Sequence, residues 1–414
     1  MQASEHQFPI HAPMPQFPVK NGELVLGGMT LSRLAMRVGQ TPFYAYDRQL
    51  LTQRVTQLRA MLPASIKLHY AMKANPMPAL VCHMVNLADG IDVASGGELK
   101  VALDSGADPR QISFAGPGKS RGELERAAVS GILINIESFR EVAELAEISH
   151  KTGCQARIAV RVNPDFELKS SGMKMGGGPK QFGVDAEQVP ELLAEIGRAE
   201  LAFEGFHLFA GSQNLKPDAI IEAQNKSFEL ALRLAKAAPT PVRLLNLGGG
   251  FGIPYFPGEQ HLDLAPIGAN LATLAERARS ELPEAELVVE LGRYLVGEAG
   301  IYVSRIVDRK VSRGQTFLVT DGGLHHHLSA SGNFGQVIRK NYPVVIGNKM
   351  STEERENVSV VGPLCTPLDL LADRMALAKA EIGDLVVIYQ SGAYGFSASP
   401  QAFLSHPACI EVLV

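Results

Sequence analysis

The chain has 414 residues, 46% of them hydrophobic, so it can bury a large core and is expected to form two domains. Its formal net charge is −4 and it has no long basic block, which argues against nucleic acid or an anionic membrane as a partner. No apolar run approaches the length of a membrane-spanning helix, and residues 1–20 lack the apolar stretch of a signal peptide.

The four cysteines also bear on the compartment. Cys82, Cys154, Cys365 and Cys409 are scattered without a Cys-x-x-Cys spacing, which argues against a zinc ribbon, a redox pair or a disulfide framework. We therefore expect a reducing, cytoplasmic location.

From about residue 40, short apolar or β-branched runs alternate with segments of helical periodicity, for example 138–150 and 224–237. Eight strands separated by helix-length segments are what a (β/α)8 barrel requires, and several runs are followed at once by Gly, Ser or Asn. The predicted strands are 67–71, 90–94, 112–115, 132–136, 156–162, 203–209, 242–247 and 286–290.

After about residue 293 the pattern changes to strand-like runs with few helical segments, at 301–307, 315–320, 358–361 and 384–389. This pattern predicts a barrel over residues 39–292 and a β-rich domain formed by residues 1–38 and 293–414. Residues 170–180, after the fifth strand, are too glycine-rich for regular structure. They are either a solvent loop or a lid over substrate.

Lys73 follows the first predicted strand. A lysine held at the carboxyl end of a buried strand is expected to be desolvated, which would leave its amine neutral and able to attack an aldehyde. The alternative is an ordinary solvated surface charge. The sequence around it, Tyr-Ala-Met-Lys-Ala-Asn at 70–75, resembles the cofactor-lysine motif of the alanine-racemase-fold decarboxylases, the pyridoxal-phosphate family of diaminopimelate and ornithine decarboxylases.

Three further motifs follow barrel strands. After strand seven, the backbone N–H groups of Gly248, Gly249 and Gly250 can point together at an anion. The alternative is that these glycines simply form a tight turn. Ser212, after strand six, offers a hydroxyl to the same anion or belongs to an ordinary turn. Glu290 and Arg293, at the end of strand eight, are either functional or a local ion pair.

The resemblance assigns these residues, because each motif falls on the strand where the family carries it. It implies that Lys73 holds pyridoxal 5'-phosphate as a Schiff base and that Glu290 pairs with the pyridinium nitrogen. A quinonoid intermediate would follow loss of carbon dioxide from the α-carbon. The resemblance places the following residues around the cofactor: Asp92, Arg161, Phe209, Ser212, Gly248, Gly249, Gly250, Arg293 and Tyr394.

The resemblance extends into the second domain. The segment Gly-Pro-Leu-Cys-Thr-Pro-Leu-Asp at 362–369 is similar to the family's Gly-Pro-x-Cys segment, which reaches the partner subunit's cofactor. It implies that Cys365 is a proton donor and that the protein is a homodimer with shared active sites. Thr366, Asp369 and His207 are assigned to the substrate.

Three departures from the family pattern concern the substrate. Phe209 stands where the family usually stacks a histidine on the cofactor ring. Thr366 replaces an acidic residue that binds a distal amine, and Ser329 replaces an arginine that binds a distal carboxylate. These departures resemble the decarboxylases of exosortase-associated clusters and those that act on aminoacyl groups tethered to a carrier protein.

Other readings remain open. The chain could decarboxylate free diaminopimelate or a basic amino acid, or it could be a racemase, although no second-domain tyrosine base replaces Cys365. It could also be a non-catalytic partner-binding homologue. We expect no metal at His325, His326 and His327, because adjacent side chains in a strand point to opposite faces.

Overall fold

The structure is a computed structural model that describes residues 10–167, 173–174 and 176–414. It divides into two compact units. One consists of Thr52–Gly252 and Leu262–Leu295, and the other of the described residues up to Leu51 together with Ile253–His261 and Val296–Val414. Among the described residues, no helix combines the length and apolar character needed to span a bilayer.

The first unit is a closed barrel of eight parallel strands, which confirms the predicted fold. Each strand pairs with the next along the chain, and the eighth pairs with the first. The strands are Ile66–Ala71, Gly90–Val93, Ile112–Phe114, Leu133–Ile136, Arg157–Asn163, Ala202–Leu208, Leu244–Gly249 and Glu286–Leu291. Each overlaps its predicted run closely, because β-branched and apolar residues are concentrated in these segments.

Helices alternate with the barrel strands. They are Pro78–Val85, Gly96–Asp104, Arg121–Val129, Phe139–Thr152, Val189–Arg198, Pro217–Ala235 and Ala265–Glu281. Serine side chains begin two of them: Ser95 accepts the N–H of Glu98, and Ser120 forms a capping box with Glu123. The helices Arg48–Met61 and Arg293–Val296 span the boundaries between the two units.

Short elements complete the barrel unit. Two-residue strands lie at Met173–Lys174, Val184–Asp185 and Gly211–Ser212, and 3-10 turns at Met72–Ala74 and Pro109–Gln111. Val184–Asp185 pairs in parallel with the fifth barrel strand. These elements lie at the ends of barrel strands, where loops can carry functional side chains.

The second unit is β-rich, as predicted. Its main sheet contains the strands Phe43–Tyr46, Gly300–Ser312, Gln315–Thr320, Val344–Ile346, Arg355–Val361, Leu370–Ala378, Leu385–Ile388 and Ile410–Leu413. A separate three-stranded sheet, Val19–Lys20, Glu23–Leu26 and Met29–Thr30, is followed by the helix Leu31–Val38. Buried side chains of both sheets and this helix, including Leu26, Leu34, Ile301 and Val387, form one apolar core.

The unit boundaries differ from the predicted division at residues 39 and 292. Phe43–Tyr46 lies in the β-rich sheet because it pairs with Gly300–Ser312 on one side and with Ile410–Leu413 on the other. Ile253–His261 also belongs to this unit, since the Gln390 side-chain amide donates to the Pro254 carbonyl over 2.8 Å. The strands within residues 1–38 form their own sheet and do not extend the larger one.

Candidate active site

Lys73 lies in the 3-10 turn Met72–Ala74, directly after the first barrel strand. Its side chain is exposed, so the predicted burial of this lysine was wrong. The turn carries the residue past the last strand position, Ala71. Nζ lies 5.6 Å from the centre of the Phe209 ring, which follows the sixth strand. The amine is therefore accessible at the carboxyl end of the barrel, where barrel enzymes hold their active sites.

Glu290 projects from the eighth strand and is almost fully buried. Its Oε2 accepts a hydrogen bond of 3.0 Å from the Asn246 side-chain amide and lies 3.0 Å from His207 Nε2. Burial raises the pKa of Glu290, but His207, Lys73 and Arg161 outweigh that effect and lower this pKa to about 2. The carboxylate is therefore ionised at neutral pH.

His207 is almost fully buried and its Nε2 faces Glu290, so the structure does not place it where it could contact substrate, as the sequence analysis expected. The barrel interior instead brings His207 against the eighth strand, and its position makes it a partner of the Glu290 carboxylate.

Asp92, on the second strand, belongs to a second buried polar group. Its Oδ1 accepts hydrogen bonds from His69 Nδ1 over 2.9 Å and from the Ser113 hydroxyl over 2.5 Å. Burial lowers the pKa of His69, but the adjacent Asp92 carboxylate outweighs burial and raises this pKa above its ordinary value. Arg161, on the fifth strand, donates from Nη1 to Glu137 Oε1 over 2.9 Å.

The glycine segment after the seventh strand lies against neighbouring backbone. A Cβ on Gly249 would stand 1.9 Å from the carbonyl oxygen of Glu290, and one on Gly250 would stand 2.1 Å from that of Gly211. The N–H of Gly248 donates to the Asn246 side-chain oxygen over 2.8 Å, which links this segment to the residue that also binds Glu290. Only glycine fits this close approach.

Ser212 lies in the short strand Gly211–Ser212, which pairs antiparallel with Met173–Lys174. Arg293 begins the short helix after the eighth strand and is partly buried. Both residues follow barrel strands at the same end as Lys73 and the glycine segment. The barrel thus gathers most of the predicted cofactor residues at one end.

The glycine-rich segment 170–180 is described only in part, since Ser170, Ser171, Gly172 and Met175 lie outside the described residues. The Gly177 N–H donates to Asn163 Oδ1 over 3.1 Å, and Asn163 Nδ2 donates to the Gly178 carbonyl over 2.9 Å. These bonds fasten the described part to the end of the fifth strand. The lid stays a prediction.

The other predicted site residues belong to the β-rich unit. Cys365 is an exposed free cysteine, and the Thr366 hydroxyl accepts the N–H of Leu368 over 3.3 Å. Asp369 is buried: its Oδ1 accepts the Leu324 N–H over 2.6 Å and its Oδ2 accepts the Leu364 N–H over 2.8 Å. The structure therefore places Asp369 as a support that joins its own loop to Leu324, and not as a free substrate ligand. The Tyr394 ring stacks near Phe334, with ring centres 6.4 Å apart.

The three consecutive histidines lie in a turn and not in the strand that the sequence analysis assumed, because the N–H groups of His326 and His327 both donate to the Gly323 carbonyl. The rings of His325 and His326 are consequently neighbours, with centres 3.7 Å apart. Burial and the adjacent His326 lower the pKa of His325 to about 3. Within the described ranges, no group of three or more potential ligands is arranged to hold a metal ion.

Sequence reasoning missed the buried polar residues that support the site. Asn246 and His69 lie within largely apolar barrel strands, and Glu137 comes directly after another. A polar side chain at an inward position of a buried strand must find a partner, so its type and position were the available signal. The partners themselves come from strands distant in sequence.

Most of the chain is similar to known proteins. The model of the family "Pyridoxal-dependent decarboxylase, pyridoxal binding domain" matches residues 48–297. The "L-glutamyl-[BtrI acyl-carrier protein] decarboxylase" of Niallia circulans is 38% identical over 380 residues, covering 90% of this chain and 89% of the relative. The diaminopimelate decarboxylase of Aquifex aeolicus is 33% identical over 405 residues, covering 97% and 92%.

A solved structure shows the same fold. The crystal structure of diaminopimelate decarboxylase from Helicobacter pylori complexed with L-lysine matches with a TM-score of 0.80 and 27% identity. The match covers 92% of this chain and 94% of that chain. Similarity therefore extends through both units and is not confined to the barrel.

The close packing of Gly250 generates a prediction. Gly250→Ala should weaken pyridoxal phosphate binding by about tenfold or more, because its Cβ would displace the Gly211 backbone. Gly153→Ala is the matched control: Gly153 has φ +70, close to φ +74 for Gly250, but has open space around it. Both variants therefore carry the same left-handed strain of about 1–2 kcal/mol.

Fluorescence titration of each apoprotein with the cofactor gives the dissociation constants, and thermal melting reports the shared strain. Equal cofactor affinity in the two variants would contradict the assignment of the Gly248–Gly250 segment to the cofactor site.

Proposed function

Because this chain belongs to the family of pyridoxal-dependent decarboxylases, with pyridoxal phosphate as its cofactor, we propose that its substrate is an aminoacyl group tethered to an acyl carrier protein. Membership of this family confirms the resemblance found in the motifs. The relative from Niallia circulans, named for a glutamyl group on a carrier protein, supports the tethered substrate. The diaminopimelate decarboxylases among the relatives make a free diamino acid the competing substrate.

The observation that carries the proposal is the hydrogen bonding of segment 362–369. Both carboxylate oxygens of Asp369 accept backbone N–H bonds, and Thr366, next to Cys365, is neutral. This segment, all of it described, offers no free carboxylate. A distal ammonium group would lose a charge-assisted hydrogen bond there, about 1.5–3 kcal/mol. A tethered aminoacyl group without a distal cation does not depend on such a bond.

The barrel residues fit the cofactor. The accessible amine of Lys73 would hold its aldehyde carbon, and the ionised Glu290 would stand against its ring nitrogen. The glycines Gly248–Gly250, where a side chain would clash with neighbouring backbone, would hold the phosphate through backbone N–H groups, with Ser212 and Arg293 as further phosphate ligands. When bound, pyridoxal phosphate supplies an electron sink for the departure of carbon dioxide from the α-carbon.

The remaining predicted cofactor residues have supporting roles in this proposal. Asp92 and Arg161 would surround the ring region with fixed charges, each held by a buried partner. Phe209 would provide an aromatic face, since it already lies beside the Lys73 amine. The resemblance assigns Tyr394, in the β-rich unit, to the phosphate as well.

We also propose a homodimer in which Cys365 serves the partner subunit's site and returns a proton from Sγ to the α-carbon. The thiol is exposed, as a group that acts on another chain must be. Large apolar side chains in the same unit are exposed as well: Phe334, Val337, Ile338 and Leu368. The segments that carry them are linked, since Asn333 Nδ2 donates to the Leu368 carbonyl over 3.4 Å. Such a surface is typical of an interface.

Substrate choice is tested by carbon dioxide release. The cofactor-loaded protein should release it from a glutamyl group on a phosphopantetheinyl carrier protein, and at least tenfold more slowly from free glutamate, lysine or diaminopimelate. Lys73→Ala should abolish release from every substrate, which separates enzymatic release from background. Faster release from a free diamino acid would overturn the tethered substrate and favour the competing one.

Shared active sites are tested by mixing two inactive variants, Lys73→Ala and Cys365→Ala, after reversible dissociation. A heterodimer carries one site with both residues intact, so random assembly should restore up to about a quarter of the wild-type rate. Mixing Lys73→Ala with Lys73→Met is the control and should restore nothing. Failure of the first mixture to exceed this control would show that Cys365 acts within its own chain or not at all.

A further inference from the structure

Glu137, directly after the fourth barrel strand, joins three separate parts of the barrel's carboxyl end. Its side chain is 2% exposed. Oε1 accepts the N–H of Gly116 over 2.6 Å and an N–H of Arg161 over 2.9 Å, and Oε2 accepts the N–H of Gly183 over 3.0 Å. Gly116 follows the third strand, Arg161 lies on the fifth strand, and Gly183 precedes the short strand Val184–Asp185. One carboxylate therefore fixes three chain segments.

A second buried ion pair supports Glu137. Lys119 and Glu141 are each 1% exposed in their side chains, with Nζ and Oε2 3.1 Å apart. Glu141 Oε2 also accepts the backbone N–H of Glu137 over 2.9 Å, and Lys119 Nζ donates to the Gly116 carbonyl over 2.9 Å. Buried ion pairs often add little to stability, because desolvation offsets the attraction. Two of them in contact therefore suggest a role in placing groups.

Arg161 is the member of this network that faces the site. It lies directly across from His207 in the pairing of the fifth and sixth strands, and His207 Nε2 is 3.0 Å from Glu290. The Arg161 guanidinium also lies over the Phe182 ring, with its central carbon 4.9 Å from the ring centre. Phe182 precedes Gly183, whose N–H binds Glu137. Arg161 is thus held between Glu137 and Phe182.

We propose that Glu137 is a positioning residue for decarboxylation: it holds Arg161 beside the Glu290 and His207 pair and ties that geometry to Phe182 and Gly183. This inference rests on the pyridoxal-phosphate site of the proposed function. Arg161 has a positive charge whose effect depends on its distance from Glu290. A change at Glu137 should therefore alter the cofactor's environment, although Glu137 itself touches no reacting atom.

The test compares three variants. Glu137→Gln removes the charge, and Glu137→Asp keeps the charge but shortens its reach. Glu204→Gln is the control, because Glu204 pairs with Arg157 over 3.2 Å at the opposite end of the same fifth strand. All three alter a carboxylate paired with an arginine of that strand, and thermal melting of each variant separates a general loss of stability from an effect at the site.

Two readouts besides activity are measured: the cofactor dissociation constant, and the pH at which the absorbance of the bound cofactor changes. Glu137→Gln should weaken cofactor binding by about tenfold and raise the pH at which the absorbance changes on the acid side. Glu137→Asp should be intermediate, and Glu204→Gln should behave like the wild type. A cofactor dissociation constant for Glu137→Gln within twofold of the control, together with an unchanged transition pH, would overturn the inference. If Glu137→Gln does not fold, wild-type cofactor binding and an unchanged transition pH in Glu137→Asp would overturn the inference.

These readouts do not depend on the substrate. A wild-type protein that binds the cofactor and rejects a carrier-tethered substrate would remove the proposed substrate, while the comparison at Glu137 would still stand.

Discussion

The carboxylate of Glu290 lies inside the barrel, where an unpaired charge is destabilising by several kcal/mol. It stays ionised because Asn246 donates a hydrogen bond to it and because His207, Lys73 and Arg161 favour the charged form. These residues come from four other strands or strand ends. The requirement to keep one buried carboxylate charged therefore determines much of what the barrel interior must contain around it.

The same requirement links the parts of the site. Asn246 binds Glu290 with its amide nitrogen and the Gly248 N–H with its oxygen, so the glycine segment and the carboxylate share one support. Arg161, whose charge favours the ionised form of Glu290, is in turn bound to Glu137 and lies over the Phe182 ring. A cofactor at this end would thus meet groups whose positions are set before it binds, which is how proteins supply electrostatic stabilisation.

The eight barrel strands could be predicted because each is a local run of apolar residues between turn formers, and Lys73, Glu290 and the glycines could be placed because they follow those runs. Phe43–Tyr46 was assigned to the wrong domain, since its partners lie more than 250 residues away in sequence. The exposure of Lys73 and the engagement of Asp369 by backbone N–H groups also escaped prediction. Each depends on a turn or contact that the residue types do not encode locally.

The most direct test is a titration of the Glu290 carboxyl carbon by 13C NMR in the cofactor-loaded protein, with the resonance assigned by Glu290→Gln. A folded-state pKa of about 2, below the ordinary 4.5, means that the charged form stabilises the fold above pH 4.5 and that this contribution is lost as the pH falls toward 2. The account predicts a resonance that does not move between pH 7 and pH 4. A resonance that titrates with a midpoint near 4.5 or higher would contradict it.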